Sequence, residues 1–207
     1  MEASKGKFVP IIYDETDVIV FNSTKMIQHG SMDDVYILEK FSPKEVQNIL
    51  FVQSSVPRIK EFIYYIRNDP IHLKSPYMKN FEDLLSKLVF FLTNTTSKDP
   101  FTCEGIPIKQ NQKYFRELKV IDLLIDIIIY PFEDGVFEID KLTGKSPIIR
   151  ICRLIYRVLK LCAKDNEHNK FYVAQWISHF FEQSMMTNED NNMYAQFTVT
   201  ELLANNK

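Results

Sequence analysis

The chain has 207 residues, 45% of them hydrophobic and 13% aromatic, and 25 Lys and Arg against 27 Asp and Glu leave a formal net charge of −2. This composition excludes a disordered or low-complexity protein, and a chain of this length buries roughly 70% of its unfolded surface on folding. The near-neutral balance gives no whole-protein case for nucleic acid or an anionic membrane, so an anion site has to come from local clustering.

The first elements are read as strands. FVPIIYDETDVIVF (residues 8–21) and DVYILEKF (34–41) are short β-branched and aromatic runs, separated by the turn-rich NSTKMIQHGSMD with Gly30 at the loop. So few strands are marginal alone and call for a covering partner. From residue 42 onward the pattern is helical. Ser42-Pro43-Lys44-Glu45 combines a serine N-cap, proline at the first helical position and glutamate at the third. Pro57 is expected to kink that helix or split it, with Ser55 capping the second piece, and Asp69-Pro70 to end it.

Ser75-Pro76 opens a second helix, whose Tyr77, Phe81, Leu84, Leu85, Leu88 and Leu92 repeat at helical spacing. After a loop over 93–108, residues 109–132 (KQNQKYFRELKVIDLLIDIIIYPF) read as one central helix. Its start is cationic, its second half is almost continuously apolar, and Pro131 is expected to stop it. An acidic loop with Glu133, Asp134, Glu138 and Asp140 leads to Ser146-Pro147, a third such start. The next helix carries Ile148, Ile151, Cys152, Ile155, Val158, Leu159 and Cys162 on its apolar face. A further helix from Asp165–Glu167 is predicted to bury Phe171, Tyr172, Trp176, Ile177, Phe180 and Phe181, and a last one, after the polar linker 188–192, carries Phe197, Leu202 and Leu203. Helices in succession with no strands between them fit a bundle or an armadillo-like solenoid, although no strict sequence period is present.

Two cationic groupings stand out. Lys109, Lys113 and Arg116 are spaced four and three apart, so all three project from one helix face. Cations at a helix start oppose the macrodipole, and a bound polyphosphate would reverse that cost. Gln112 is expected to donate from the same surface. Arg150, Arg153, Arg157, Lys160 and Lys164 form a regular basic stripe, read as a solvated polar face paired with the acidic loop or as a field that guides an anion or an acidic partner. Catalysis has little support. His29, His72, His168 and His179 have no nucleophile, carboxylate or metal partner at a recognisable spacing, and no phosphate-cradling glycine loop is present. Asp122 and Asp126 read as a structural solvent edge. Three cysteines without CxxC spacing, Cys103, Cys152 and Cys162, read as reduced thiols. No run approaches the ~18 apolar residues of a membrane span, and MEASKGKFVP is no signal peptide, so the two Asn-x-Thr triplets at Asn22 and Asn94 are taken as chance matches.

Three segments carry a family likeness: QKYFRELKVIDLLIDIIIYPF from Gln112, ICRLIYRVLKLCAKD from Ile151 and AQFTVTELLANNK from Ala195. They resemble the helical domain shared by inositol trisphosphate receptors and ryanodine receptors, the RIH domain, and are closer to the first. The likeness is good over 75–207. Residues 8–41 are weakly similar to the tail of the β-trefoil that precedes this domain in the family. The resemblance implies a mainly α, armadillo-like fold at 42–207 behind a β segment at 1–41, both ends cut short relative to the family. It implies a non-catalytic, cofactor-free part of a tetrameric calcium-release channel, on the cytoplasmic face of the endoplasmic reticulum. It also implies inositol 1,4,5-trisphosphate as ligand, gripped between trefoil and helices. Lys113 and Arg116 match two of the family's phosphate contacts, and Lys109 stands where the family has arginine. A Tyr-Arg-Lys ligand cluster of the family is replaced here by Asn166, Glu167 and His168. That departure supports a rival expectation, a cytosolic armadillo-like scaffold that no longer binds inositol phosphate and serves protein–protein interaction.

Overall fold

The computed structural model describes residues 10–14, 17–21, 38–68 and 75–204, and the chain divides into two compact units, Met1–Gln53 and Ser54–Lys207. The Gly30 turn, Asp69-Pro70, His29 and His72 lie outside the described residues. In the first unit, strands β1 (Pro10–Asp14), β2 (Asp17–Phe21) and β3 (Leu38–Lys40) form an antiparallel sheet in that order. Pro10 lies opposite Val20, and Ile19 opposite Lys40.

Helix α1 runs from Pro43 to Asn68. Its start is the expected capping box. Glu45 N donates to Ser42 Oγ at 3.3 Å, and Ser42 N returns a bond to Glu45 Oε2 at 2.9 Å. The Ser42 hydroxyl and amide together hold the Glu45 carboxyl below its usual range. The expected split at Pro57 does not occur. Pro57 lies inside one continuous helix and is exposed, so its ring takes no core volume, while Ser55 is buried in the body of the helix and starts nothing.

The second unit is helical: α2 (Ser75–Leu92), α3 (Lys109–Glu117), α4 (Val120–Glu133), α5 (Pro147–Ala163), α6 (Glu167–Ala174), α7 (Ile177–Met186) and α8 (Ala195–Leu203). Two short strands, β4 (Thr93–Asn94) and β5 (Ile106–Pro107), pair across the base of the loop between α2 and α3. Phe62 of α1 stacks on Phe81 of α2 with ring centroids 3.8 Å apart. The core centres on α5, which packs against α2, α3, α4, α6 and α8. Ile148 to Cys162 puts its apolar residues inward, and Ile149, Leu154, Tyr156 and Leu161 are buried as well.

Two expected single helices are each two. The central one breaks at Lys119, whose φ of 61° is left-handed, before α4 begins. Such a conformation costs an L-residue about 1–2 kcal/mol. The Lys119 ammonium offsets part of that cost by donating to Tyr172 Oη at 2.8 Å, and Tyr172 in turn donates to Asp122 at 2.6 Å. Pro131 does not stop α4 either. It sits in the last turn, and the helix ends at Glu133. The second break, between Ala174 and Ile177, separates α6 from α7. Phe180 is buried, but Phe171 and Phe181 are exposed, against expectation. Adjacent residues point about 100° apart on a helix, and α7 turns the Phe180 side, not the Phe181 side, to the core. Phe197 and Leu203 of α8 are exposed too, and only Leu202 of the expected three is buried.

The polar stretch 188–192 is tightly ordered rather than a free linker. Asn188 Oδ1 accepts from Asp190 N at 2.8 Å, and buried Asn191 donates to Ile139 O at 2.8 Å. Gly144 makes room for it, since a Cβ there would stand 2.3 Å from Asp190 O. Leu88, fully buried on α2, tests the packing of α2 within this core. Leu88→Ala is expected to cost about 2–5 kcal/mol of unfolding free energy, read as a lower urea midpoint at an unchanged slope.

Candidate functional site

Lys109, Lys113 and Arg116 occupy positions one, five and eight of α3 and share one side of it. Lys109 is exposed, while Lys113 and Arg116 are half-buried. Burial lowers the Lys113 pKa, with Glu117 opposing and the neighbouring Arg116 adding to the shift. Arg116 has intramolecular partners: Nη1 donates to Asn169 Oδ1 at 2.7 Å and Nη2 to Glu117 Oε1 at 2.9 Å.

Behind this face lies a buried amide network. Gln112, expected at the surface, has no exposed area. Its Nε2 donates to Leu161 O at 2.7 Å and Lys164 O at 2.8 Å, two carbonyls at the end of α5 that have no partner within the helix. Asn169, equally buried, donates to Gln112 O at 3.1 Å and Cys162 O at 2.9 Å. Asn166 caps α6 by accepting from Asn169 N at 3.1 Å, and its own Nδ2 reaches Gln112 Oε1 at 2.9 Å. Asn166 therefore has a structural task here. Glu167 and His168 are exposed beside it. The asparagine three residues after a cap was the available sign of Asn169, but nothing local in the sequence marks it as fully buried.

The basic stripe faces carboxylates, though not those of the acidic loop. Arg150 forms a two-pronged pair with Glu82 of α2, with Nε 3.0 Å from Oε2. Arg153 donates to Asn192 O at 2.6 Å. Arg157 Nη1 and Lys160 Nζ both reach Glu104 Oε1 at 2.7 Å, and Lys164 Nζ lies 3.6 Å from Oε2. Arg157 also donates to Phe101 O at 2.6 Å, and Lys164 to Gly105 O at 3.2 Å. The stripe thus clips the loop over 95–105 onto α5. Glu133 and Glu138 of the acidic loop pair instead with His179, at 3.0 Å, and Lys141, at 2.6 Å. Gly105 is required at the clip, where a Cβ would stand 2.4 Å from Asn94 O.

Cys103, Cys152 and Cys162 are free thiols and buried. Burial pushes Cys152 up to about 12 and Cys162 higher still, so neither is a nucleophile. Among the described residues, no three His, Cys, Asp or Glu side chains group as a metal site, and no helix is long and apolar enough to cross a membrane.

These features define a mainly helical domain in which buried amides tie the end of α5 to α3 and α6, and the cations along α5 are engaged within the fold. A family model described as the RIH domain matches residues 82–207, more than half of the chain. The protein belongs to the RIH-domain family. In the channel receptors that domain is in general non-catalytic.

Two outcomes test this geometry. Gln112→Ala leaves the Leu161 and Lys164 carbonyls without their donor, and is expected to cost about 1–3 kcal/mol in urea unfolding, with protection of the α5–α6 corner falling in hydrogen exchange. For Glu104, burial raises the carboxyl pKa, but Lys160 and Arg157 outweigh it and the net shift is downward. A depressed folded pKa gives stability that is full above the unfolded value and lost as pH falls through the folded one. Thermal melts of wild type and Glu104→Gln are therefore expected to differ near neutrality and to converge in acid.

Proposed function

We propose that this chain is a cytosolic segment of the ligand-binding core of an intracellular calcium-release channel, of the inositol trisphosphate receptor type rather than the ryanodine receptor type. The observation that carries the reading is the RIH match combined with Lys109, Lys113 and Arg116 along one side of α3. On this reading residues 1–41 are the end of a β-trefoil and 42–207 the first part of an armadillo-like solenoid. The phosphates of an inositol polyphosphate meet the α3 cations. Arg116 is suited to this by its planar fork of donors, and Lys113 by a lowered pKa that electrostatic contact with phosphate would restore. The full channel is a homotetramer in the endoplasmic reticulum membrane with this chain on its cytoplasmic face, and the solenoid passes the ligand's effect to the gate. The stripe Arg150–Lys164 adds only a general positive field.

A second reading has its own support. Arg116 is held by Asn169 and Glu117, and exposed Glu167 would repel phosphate next to the same network. On that reading the chain is a non-catalytic scaffold that has lost inositol phosphate binding and acts through protein–protein contacts. Calorimetry separates the two. Inositol 1,4,5-trisphosphate titrated into the chain, alone and with a β-trefoil half supplied, is expected to give saturable heat that weakens about tenfold or more, ~1.4 kcal/mol, in Lys113→Ala. No heat in either format, or no effect of Lys113→Ala, leaves the scaffold.

A further inference from the structure

Three cations of α5 converge on one carboxylate. Glu104 Oε1 accepts from Arg157 Nη1 and Lys160 Nζ, both at 2.7 Å, and Oε2 lies 3.6 Å from Lys164 Nζ. A single negative charge therefore answers three positive ones. Asp99, the next carboxylate of the loop, bonds Thr102 Oγ1 at 2.7 Å and Phe101 N at 3.1 Å, and acts on Arg157 only at longer range. Glu82 is engaged by Arg150.

The hosts are held in place without their guest. Arg157 Nη2 donates to Phe101 O at 2.6 Å, and Lys164 Nζ to Gly105 O at 3.2 Å. The loop backbone is fixed independently of the carboxylate as well. Strands β4 and β5 pair at its base, Thr95 Oγ1 donates to Glu104 O at 2.8 Å, and Thr93 Oγ1 donates to Ile106 O at 3.1 Å. Exposure points the same way. The side chains of Arg157, Lys160 and Lys164 are 10%, 18% and 28% exposed, while that of Glu104 is 52% exposed. The carboxylate is thus the outermost member, able to swing into solvent while the cations and the loop stay where they are. Glu104 also lines an open groove of about 500 Å³ together with Asn94, Thr95 and Thr96, a volume within the range of small-molecule sites.

We propose that Glu104 is the resident occupant of an anion site, and that a small phosphorylated molecule binds there by displacing it. Phosphate oxygens are spaced much like those of a carboxylate, so they accept from the same three donors, with the Arg157 guanidinium suited to a forked contact. A phosphate dianion also answers the surplus of positive charge that one carboxylate leaves. A carboxylate ligand brings no more charge than Glu104 and has to compete with a group already tethered at the site. The remainder of the molecule lies in the groove against Asn94 and Thr96, both exposed. Single-stranded nucleic acid fits less well, because none of the four groove residues is aromatic. The cluster shares no residue with the α3 cations, so the inference does not rest on phosphate binding at α3.

Inorganic pyrophosphate is the probe, titrated by calorimetry into the full chain at low ionic strength, with every variant carrying Lys113→Ala to weaken binding at α3. Removing the occupant is expected to strengthen binding: Glu104→Gln should bind about tenfold or more tighter than its parent. Adding Lys160→Gln to Glu104→Gln is expected to reverse that gain. Lys160 Nζ bonds Glu104 alone among the described residues, so once the carboxylate is gone this change should leave the melting temperature where it was. A merely structural clip predicts the opposite pattern, a lower melting temperature in Glu104→Gln with no gain in affinity. Unchanged or weaker binding in Glu104→Gln overturns the proposal, as does a gain that survives Lys160→Gln. So does a result in which pyrophosphate gives no heat with Glu104→Gln while vesicles containing phosphatidic acid retain it, since the ligand would then be a membrane headgroup.

Discussion

Three helix ends converge on the side chains of Gln112 and Asn169, and the second unit depends on how those two amides are satisfied. The last turn of α5 exposes carbonyls that no residue of the helix can pair. Gln112 takes two of them, Asn169 takes Cys162 O and the backbone of Gln112, and Asn166 closes the start of α6. Amides this deeply buried are costly when unpaired, so the network fixes the positions of α3, α5 and α6 more sharply than apolar contact alone would. The hydrophobic shell of α5 then has a single arrangement to pack against.

Charge follows a similar economy. A stripe of five cations on one helix suggests an open positive surface, but in the fold it is the seam along which Glu82, Glu104 and a run of carbonyls are fastened. Exposed pairs contribute little individually. Here Arg157 is only 10% exposed on its side chain and shares Glu104 with Lys160, so the loop over 95–105 is gripped by a connected set rather than one bridge.

The parts of this fold that were legible in the sequence are those set by neighbours along the chain. The starts at Ser42-Pro43 and Ser146-Pro147, the apolar stripes of α2 and α5 and the mainly helical class all follow from local spacing. What the sequence concealed has two physical causes. The reversals before α4, α6 and α8 use Lys119, Asp165 and Tyr194 in left-handed backbone, and without glycine no residue type announces them. The partners of Gln112 and of the α5 cations lie 37 to 68 residues away, so only the tertiary fold could reveal that Gln112 is buried or that Glu104 answers Arg157. The α3 cations were visible by spacing, but their engagement was not.

Arg116 is tied to the amide network through Asn169 and also reaches the surface, and that position makes it a lever. An anion that drew the guanidinium outward would leave Asn169 Oδ1 buried and unpaired, a loss of about 1–3 kcal/mol at the corner where α5 meets α6. By reciprocity, anything that loosened that corner would release Arg116 and strengthen the anion's hold by the same amount. The side chain that would grip a ligand and the side chain that keeps two helices in register are the same one, so occupancy outside and order inside are thermodynamically linked.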